Sequence, residues 1–292
     1  MKNIVITAIV AAIVSLAVSF YHPGTEPAAP SSPAAKLTAY ERVLKTGVLR
    51  CAYASYEPML IIDPNTRQFS GIFYDLLNEI SSRLNLKVEW VEEVGYGNIN
   101  AGFVTGRYDA FCAGLWPSGN RARNTVFSLP LFYDPISVWV RGDDARFDGN
   151  VSALNDPAYK IAVTDGDATV TMANAMFPQA GRINMTQNNS IADEINQVTT
   201  GKADAMFRDY LLAASYLASN PGKLKDISPE APLLNYPLTI GFNDHELELK
   251  KMIDTVISEI SSDGTVARIV KKHLGDKSNM LFQTKTTYES FQ

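Results

Sequence analysis

Two cysteines and three histidines in 292 residues leave little from which to build a metal centre. His22, His245 and His273 are far apart in sequence, and neither Cys51 nor Cys112 has a second ligand at a metal-binding spacing. A glycine-rich phosphate loop and a nucleophile elbow are also missing. No catalytic residue, metal or cofactor is therefore expected. Basic character is lacking too: 26 Lys and Arg face 31 Asp and Glu, and the cations are scattered, which argues against a nucleic-acid partner. A net charge of -5 gives no general attraction to anionic lipid.

One long apolar run is present, at the N-terminus. After the basic start Met1-Lys2-Asn3, Ile4 to Phe20 is apolar apart from Thr7, Ser15 and Ser19. The run is slightly long for a signal-peptide core and at the short limit for a membrane span. Ala17-Val18-Ser19 offers small residues for cleavage, and no cysteine follows for lipid attachment. Residues 21–38 are rich in Pro, Ala and Ser and read as an extended linker. Such a spacer suits a retained anchor, so 1–20 is read as a signal anchor, with a cleaved signal peptide as the alternative. Either reading exports the remainder, to the periplasm or another extracytoplasmic space, with a membrane link only if the segment stays.

The whole chain is 46% hydrophobic and 20% charged, an ordinary globular balance, and the remainder is long enough for two modest domains. Strand and helix patterns alternate. Residues 47–53 read as a strand, and a helix follows with apolar Ile72, Leu76, Leu77, Ile80 and Leu84. Residues 87–91 and 110–113 read as strands flanking a helix stopped by Gly106. A second series follows, with strands at 159–164 and 203–207 and helices at 168–177, 190–199 and 210–219. The order predicts α/β lobes with doubly wound parallel sheets. The sequence Gly-x-x-Asp-Ala at Gly106–Ala110 returns as Gly-x-x-Asp-Ala at 201–205, a weak internal repeat.

The most informative stretch is 106–133. A short apolar run ends in the loop Gly114-Leu-Trp-Pro-Ser-Gly119. Arg121 stands two positions on, and Phe127-Ser128-x-Pro130 begins six positions after the arginine. Near the other end, Ser262-Asp-Gly-Thr265 is followed by Ile269, Lys271-Lys272 and Gly275. These motifs are collinear, and from about 40 to 275 the chain resembles the extracellular solute-binding proteins for polar amino acids, the type II periplasmic binding proteins. The resemblance implies two lobes joined by a two-strand hinge: 39–138 with 238–276 forming one lobe, 139–237 the other, and a loosely held polar tail at 277–292. It places Cys51 and Cys112 on neighbouring parallel strands, where a disulfide and two buried thiols both remain open.

The resemblance also implies a site. Arg121 matches the position that grips a ligand carboxylate, a task suited to a planar guanidinium fork. Asp209 matches the amine-binding aspartate, although it also stands where an N-cap for the helix 210–219 belongs. Tyr56 and Tyr96 match two aromatic walls, and Ser118 keeps a hydroxyl position. Trp116 stands where a small hydroxyl residue is usual. At the second-lobe helix start, Asp167-Ala168-Thr169 replaces the usual small residues. Thr169 is left to supply a hydroxyl, and Asp167 reads first as an N-cap whose charge would repel a ligand carboxylate.

The function implied is capture of a small zwitterionic or cationic solute, amino-acid-like, by hinge closure of a monomer, with delivery to an ABC importer permease. Two alternatives stand beside it. One is a cyclohexadienyl dehydratase-like enzyme using Glu57 or Asp167 as the acid. The other is a membrane-tethered sensor or assembly subunit with a drifted pocket.

Overall fold

The computed structural model describes residues 37–186, 188–228 and 232–281, and one compact unit begins at Thr38. The readings of 1–20 and of most of the linker fall outside the described residues. Eight helices are described: α1 Ala39–Thr46, α2 Ile72–Arg83, α3 Ile99–Thr105, α4 Ala168–Met176, α5 Ile191–Thr199, α6 Tyr210–Ser219, α7 Leu247–Ser262 and α8 Thr265–Leu274. The strands are β1 Val48–Tyr53, β2 Ile61–Ile62, β3 Phe69–Ser70, β4 Lys87–Glu93, β5 Ala110–Leu115, β6 Thr125–Phe127, β7 Phe132–Arg141, β8 Lys160–Thr164, β9 Gly181–Met185, β10 Ala205–Asp209, β11 Leu224–Asp226 and β12 Leu234–Asn243.

The main sheet runs β4-β1-β5-β12-β7-β10-β8-β9. At one end β4, β1 and β5 are parallel; at the other β10, β8 and β9 are parallel. Between them lie β7 and β12, two long antiparallel strands. The first half of β7 pairs with the first half of β12, through Phe132↔Leu238 to Ile136↔Leu234. Beyond that overlap β7 continues along β10, while β12 continues along β5 and β6. These are the two crossing strands of a type II periplasmic binding protein fold, and each α/β lobe hangs from one end of the pair.

Strand β5 is apolar throughout because both its faces are covered. All six residues of β5 are buried, whereas edge strand β4 alternates between exposed and half-buried positions. Helix α2 packs on β4 and β5 and against α7 and α8. Its buried stripe includes Ile72, Phe73, Leu76, Leu77 and Ile80, which matches the helical period of the sequence. Cys51 of β1 and Cys112 of β5 are joined by a disulfide, with Cα atoms 5.6 Å apart.

The internal repeat has a physical basis. Gly106 and Gly201 both adopt left-handed backbone, with φ of 70° and 74°, as the chain leaves a helix. The aspartates that follow, Asp109 and Asp204, each stand immediately before a strand and bind the start of the parallel neighbour. Asp109 accepts the Arg50 N–H at 2.9 Å, and Asp204 accepts the Lys160 N–H at 2.8 Å. Each aspartate N–H returns a bond to the carbonyl of that same neighbour, at 2.9 and 2.7 Å. The motif therefore sets strand register in both lobes and lies outside the binding chemistry.

One boundary needs correction. A loose tail from 277 is not what the described part shows: Gly275–Met280 forms a 3-10 turn and Leu281 is buried, because an apolar side chain there completes the core. Residues 282–292 fall outside the described residues.

Candidate functional site

Loops at the strand ends meet around a cavity lined by Tyr56, Tyr96, Gly114, Trp116, Arg121, Asp167, Ile191, Arg208, Asp209, Leu212 and Leu238. Its volume is about 20 Å³, room for about one water molecule. A second cavity of about 200 Å³ shares Tyr96, Asp167, Ile191 and Arg208 and extends past Ser55, Glu93 and Asn188 to Ser190. The loops press together: Gly166 has φ of 79°, and a Cβ there would stand 2.9 Å from the Gly97 carbonyl oxygen. Glycine is required on both counts.

Arg121 lies on a single 3-10 turn after β5, with 6% of its surface exposed. Its guanidinium donates to the carbonyls of Trp116 and Tyr96, both at 2.8 Å, and to Asp167 at 3.2 Å. Asp167 is the N-cap of α4 and accepts the Thr169 N–H at 2.9 Å. Burial would raise the Asp167 carboxyl, but Arg121 and Arg208 outweigh it, and its pKa falls below the usual carboxylate range. Capping and ion pairing are thus combined in one side chain.

Asp209 also has two roles. One carboxylate oxygen caps α6 by accepting the Leu212 N–H at 2.8 Å, and the other accepts the Tyr56 hydroxyl proton. The same hydroxyl stands 3.4 Å from Asp134, a fully buried residue of β7. Burial raises the pKa of Asp134 well above its ordinary value, and the Asp209 charge adds to this. Burial also raises Asp209, despite the Tyr56 and Leu212 bonds. Tyr56 is pushed up by burial and by both carboxylates, so it keeps its proton and donates it.

Arg208, next to Asp209 on β10, pairs with fully buried Glu194 of α5 and lies 5.8 Å above the Trp116 ring. Burial would lower the Arg208 pKa, but Glu194 and Asp167 hold it above its ordinary value. Buried polar atoms without a hydrogen-bond partner concentrate here. Among the described residues they are eight, and five belong to this cluster: Tyr96 Oη, Trp116 Nε1, Asp134 Oδ1, Glu194 Oε1 and Arg208 Nε. Such orphans are uncommon in a folded protein, and their concentration here sets this cluster apart.

The structure brings together Tyr56, Tyr96, Trp116, Arg121 and Asp209. Two expected ligand contacts lie elsewhere. Ser118 Oγ faces the Arg121 backbone N–H at 3.4 Å, and Thr169 Oγ1 accepts the Thr164 N–H at 3.3 Å; both are buried in local turns and neither lines the cavity. Of the two acids considered for an enzyme, Glu57 is exposed and lines neither cavity, and Asp167 is held ionised by Arg121. Sequence reasoning missed Asp134, Glu194 and Arg208. A signal existed for Glu194, which falls on the apolar stripe Ile191, Ile195 and Val198 of α5. Asp134 and Arg208 are charged residues within otherwise apolar strands.

The family model for bacterial extracellular solute-binding proteins, family 3, matches residues 49–276. The L-cystine-binding protein TcyA of Bacillus subtilis (strain 168) is 23% identical over 237 residues, 80% of this chain and 84% of that protein. Among solved structures, the ancestral amino acid-binding protein AncCDT-1, a precursor of cyclohexadienyl dehydratase, superposes with a TM-score of 0.67 at 25% identity, covering 81% of this chain and 99% of its own. An ancestral arginine-binding protein bound to arginine gives a TM-score of 0.66 at 22% identity, with 78% and 99% covered. With a match of that extent, a fold of this kind and a polar cluster at the strand ends, the chain belongs to the bacterial extracellular solute-binding proteins of family 3.

Proposed function

We propose that this protein captures a small solute bearing an ammonium group, of the amino-acid class, outside the cytoplasm and passes it to an ABC importer. The carrying observation is the cluster of five orphaned buried polar atoms around a cavity whose aromatic walls include Tyr56, Tyr96 and Trp116. The relatives point the same way, since those named are binding proteins for amino acids. In this reading 39–138 with 238–276 forms one lobe and 139–237 the other. Bending of β7 and β12 opens the cleft. Asp209 receives the ammonium with the Tyr56 hydroxyl, behind which the Asp134 carboxyl stands. The solute adds to closure only through contacts that both lobes make to it at once.

A thermal-shift screen of amino acids and related amines tests the reading, because a ligand that binds only the native state raises its stability by mass action. A concentration-dependent rise with at least one probe is expected. No rise with any probe overturns it.

A further inference from the structure

The buried polar cluster beside the cavity contains two guanidinium groups and four carboxyl groups; Asp167 and Asp209 line the cavity, and Asp134 and Glu194 stand behind its wall. Each guanidinium already has its own carboxylate: Arg121 with Asp167, and Arg208 with Glu194. Two carboxyl groups remain, Asp134 and Asp209, and no cation forms an ion pair with either among the described residues. Both surround the Tyr56 hydroxyl, and Asp134 Oδ1 is buried without a partner.

A carboxylate entering this cleft has to take Arg121 from Asp167. That exchange is opposed by geometry. Asp167 is fixed by its cap bond to the Thr169 N–H, so it cannot leave without uncapping α4. If it stays, two anions share one buried guanidinium, three of whose five N–H donors already meet Asp167 and the Trp116 and Tyr96 carbonyls. An entering cation meets the opposite situation, with two carboxyl groups that have no ion-pair partner among the described residues and the Tyr56 and Trp116 rings on the cavity wall. In effect the chain supplies, through Asp167, the carboxylate that an amino-acid ligand would bring.

We propose that the ligand is a small organic amine with a cationic nitrogen and no free carboxylate. This rests on the capture function above and narrows its ligand class. Asp209 receives the cationic nitrogen, with the Asp134 carboxyl behind the Tyr56 hydroxyl, and Asp167 excludes the corresponding amino acid by holding Arg121.

The test is calorimetric titration of the full-length chain with matched pairs: agmatine and L-arginine, cadaverine and L-lysine, tyramine and L-tyrosine. The expected result is that at least one amine binds about tenfold or more tighter than its parent amino acid, a difference of about 1.4 kcal/mol. Asp167→Asn, which retains a good N-cap, is expected to shift that ratio about tenfold or more toward the amino acid. If every pair that binds favours the amino acid or shows no preference, the inference is overturned while the capture function stands. An unchanged ratio in Asp167→Asn overturns it too. If no amine and no amino acid binds, both this inference and the capture function fall.

Discussion

Asp167 Oδ2 lies 3.2 Å from Arg121 Nη2, and both side chains are more than nine-tenths buried. One comes from the start of α4 and the other from the loop after β5, so the pair ties two ends of the molecule's sheet together across the cleft. Breaking a buried pair by removing one partner costs about 3–5 kcal/mol. Asp167→Ala should therefore lower the closed-to-open ratio about a hundredfold or more. Small-angle scattering of the ligand-free protein should show a larger radius of gyration for the variant than for the wild type. Equal radii would mean that the pair does not latch the cleft.

The Arg208–Glu194 pair makes a separate prediction about stability. Glu194→Ala leaves a guanidinium buried without its anion and is expected to cost about 3–5 kcal/mol in denaturant unfolding. Pairing Glu194→Leu with Arg208→Met removes both charges and should restore much of that loss. A double variant less stable than Glu194→Ala would contradict this account of the pair.

Asp134 should make the ligand-free protein pH-sensitive. Its carboxyl is raised in the folded state by burial and by Asp209, and the Tyr56 hydroxyl pulls it back. A carboxyl raised on folding contributes stability that is complete below its unfolded pKa, about 3.9, and lost as pH rises through the folded value. As pH rises above the usual carboxylate range, the wild type should therefore lose stability more steeply than Asp134→Asn. Asp167 acts with the opposite sign, since its pKa is lowered, and its stabilisation is lost only as pH falls below the usual carboxylate range. Parallel curves for the wild type and Asp134→Asn above that range would remove Asp134 from the explanation.

The disulfide closes a loop with a sequence separation of 61. By chain entropy, a loop of that size stabilises by about 4 kcal/mol. Urea unfolding with and without a reducing agent should differ by roughly 2–4 kcal/mol, and Cys51→Ser should mimic the reduced protein. No difference would show that the bridge does not constrain the unfolded chain.

Much of the fold was legible because periodicity and punctuation agreed. The helix at Tyr210–Ser219 runs between an aspartate cap and Asn220, and α2 follows its apolar period. The crossing strands were placed only by resemblance, since β7 and β12 pair about a hundred residues apart and no local pattern records that. Strand β9 was missed: Gly181–Met185 carries no fully apolar run and sits on the sheet edge. At the site, loop-borne Tyr56, Tyr96 and Arg121 were legible through motif position. Ser118 and Thr169 lie off the cavity because a hydroxyl near a helix start is as readily satisfied by its own turn as by a solute. Asp134 and Glu194 left only a faint signal, a charge set among apolar positions, for a different reason. Their importance comes from burial without a matching cation or with a single one, and burial emerges only when β7, α5 and β10 are packed together.

The central claim is that the cleft binds an ammonium-bearing solute through Asp209, and its most direct measurement is a thermal-shift titration of the wild type and Asp209→Asn against amino acids and their decarboxylated amines. The account predicts a concentration-dependent rise in Tm for at least one of these probes in the wild type, and its loss in Asp209→Asn, where the cap on α6 is kept but the charge is gone. An equal rise in both proteins, or none with any probe in the wild type, would contradict it.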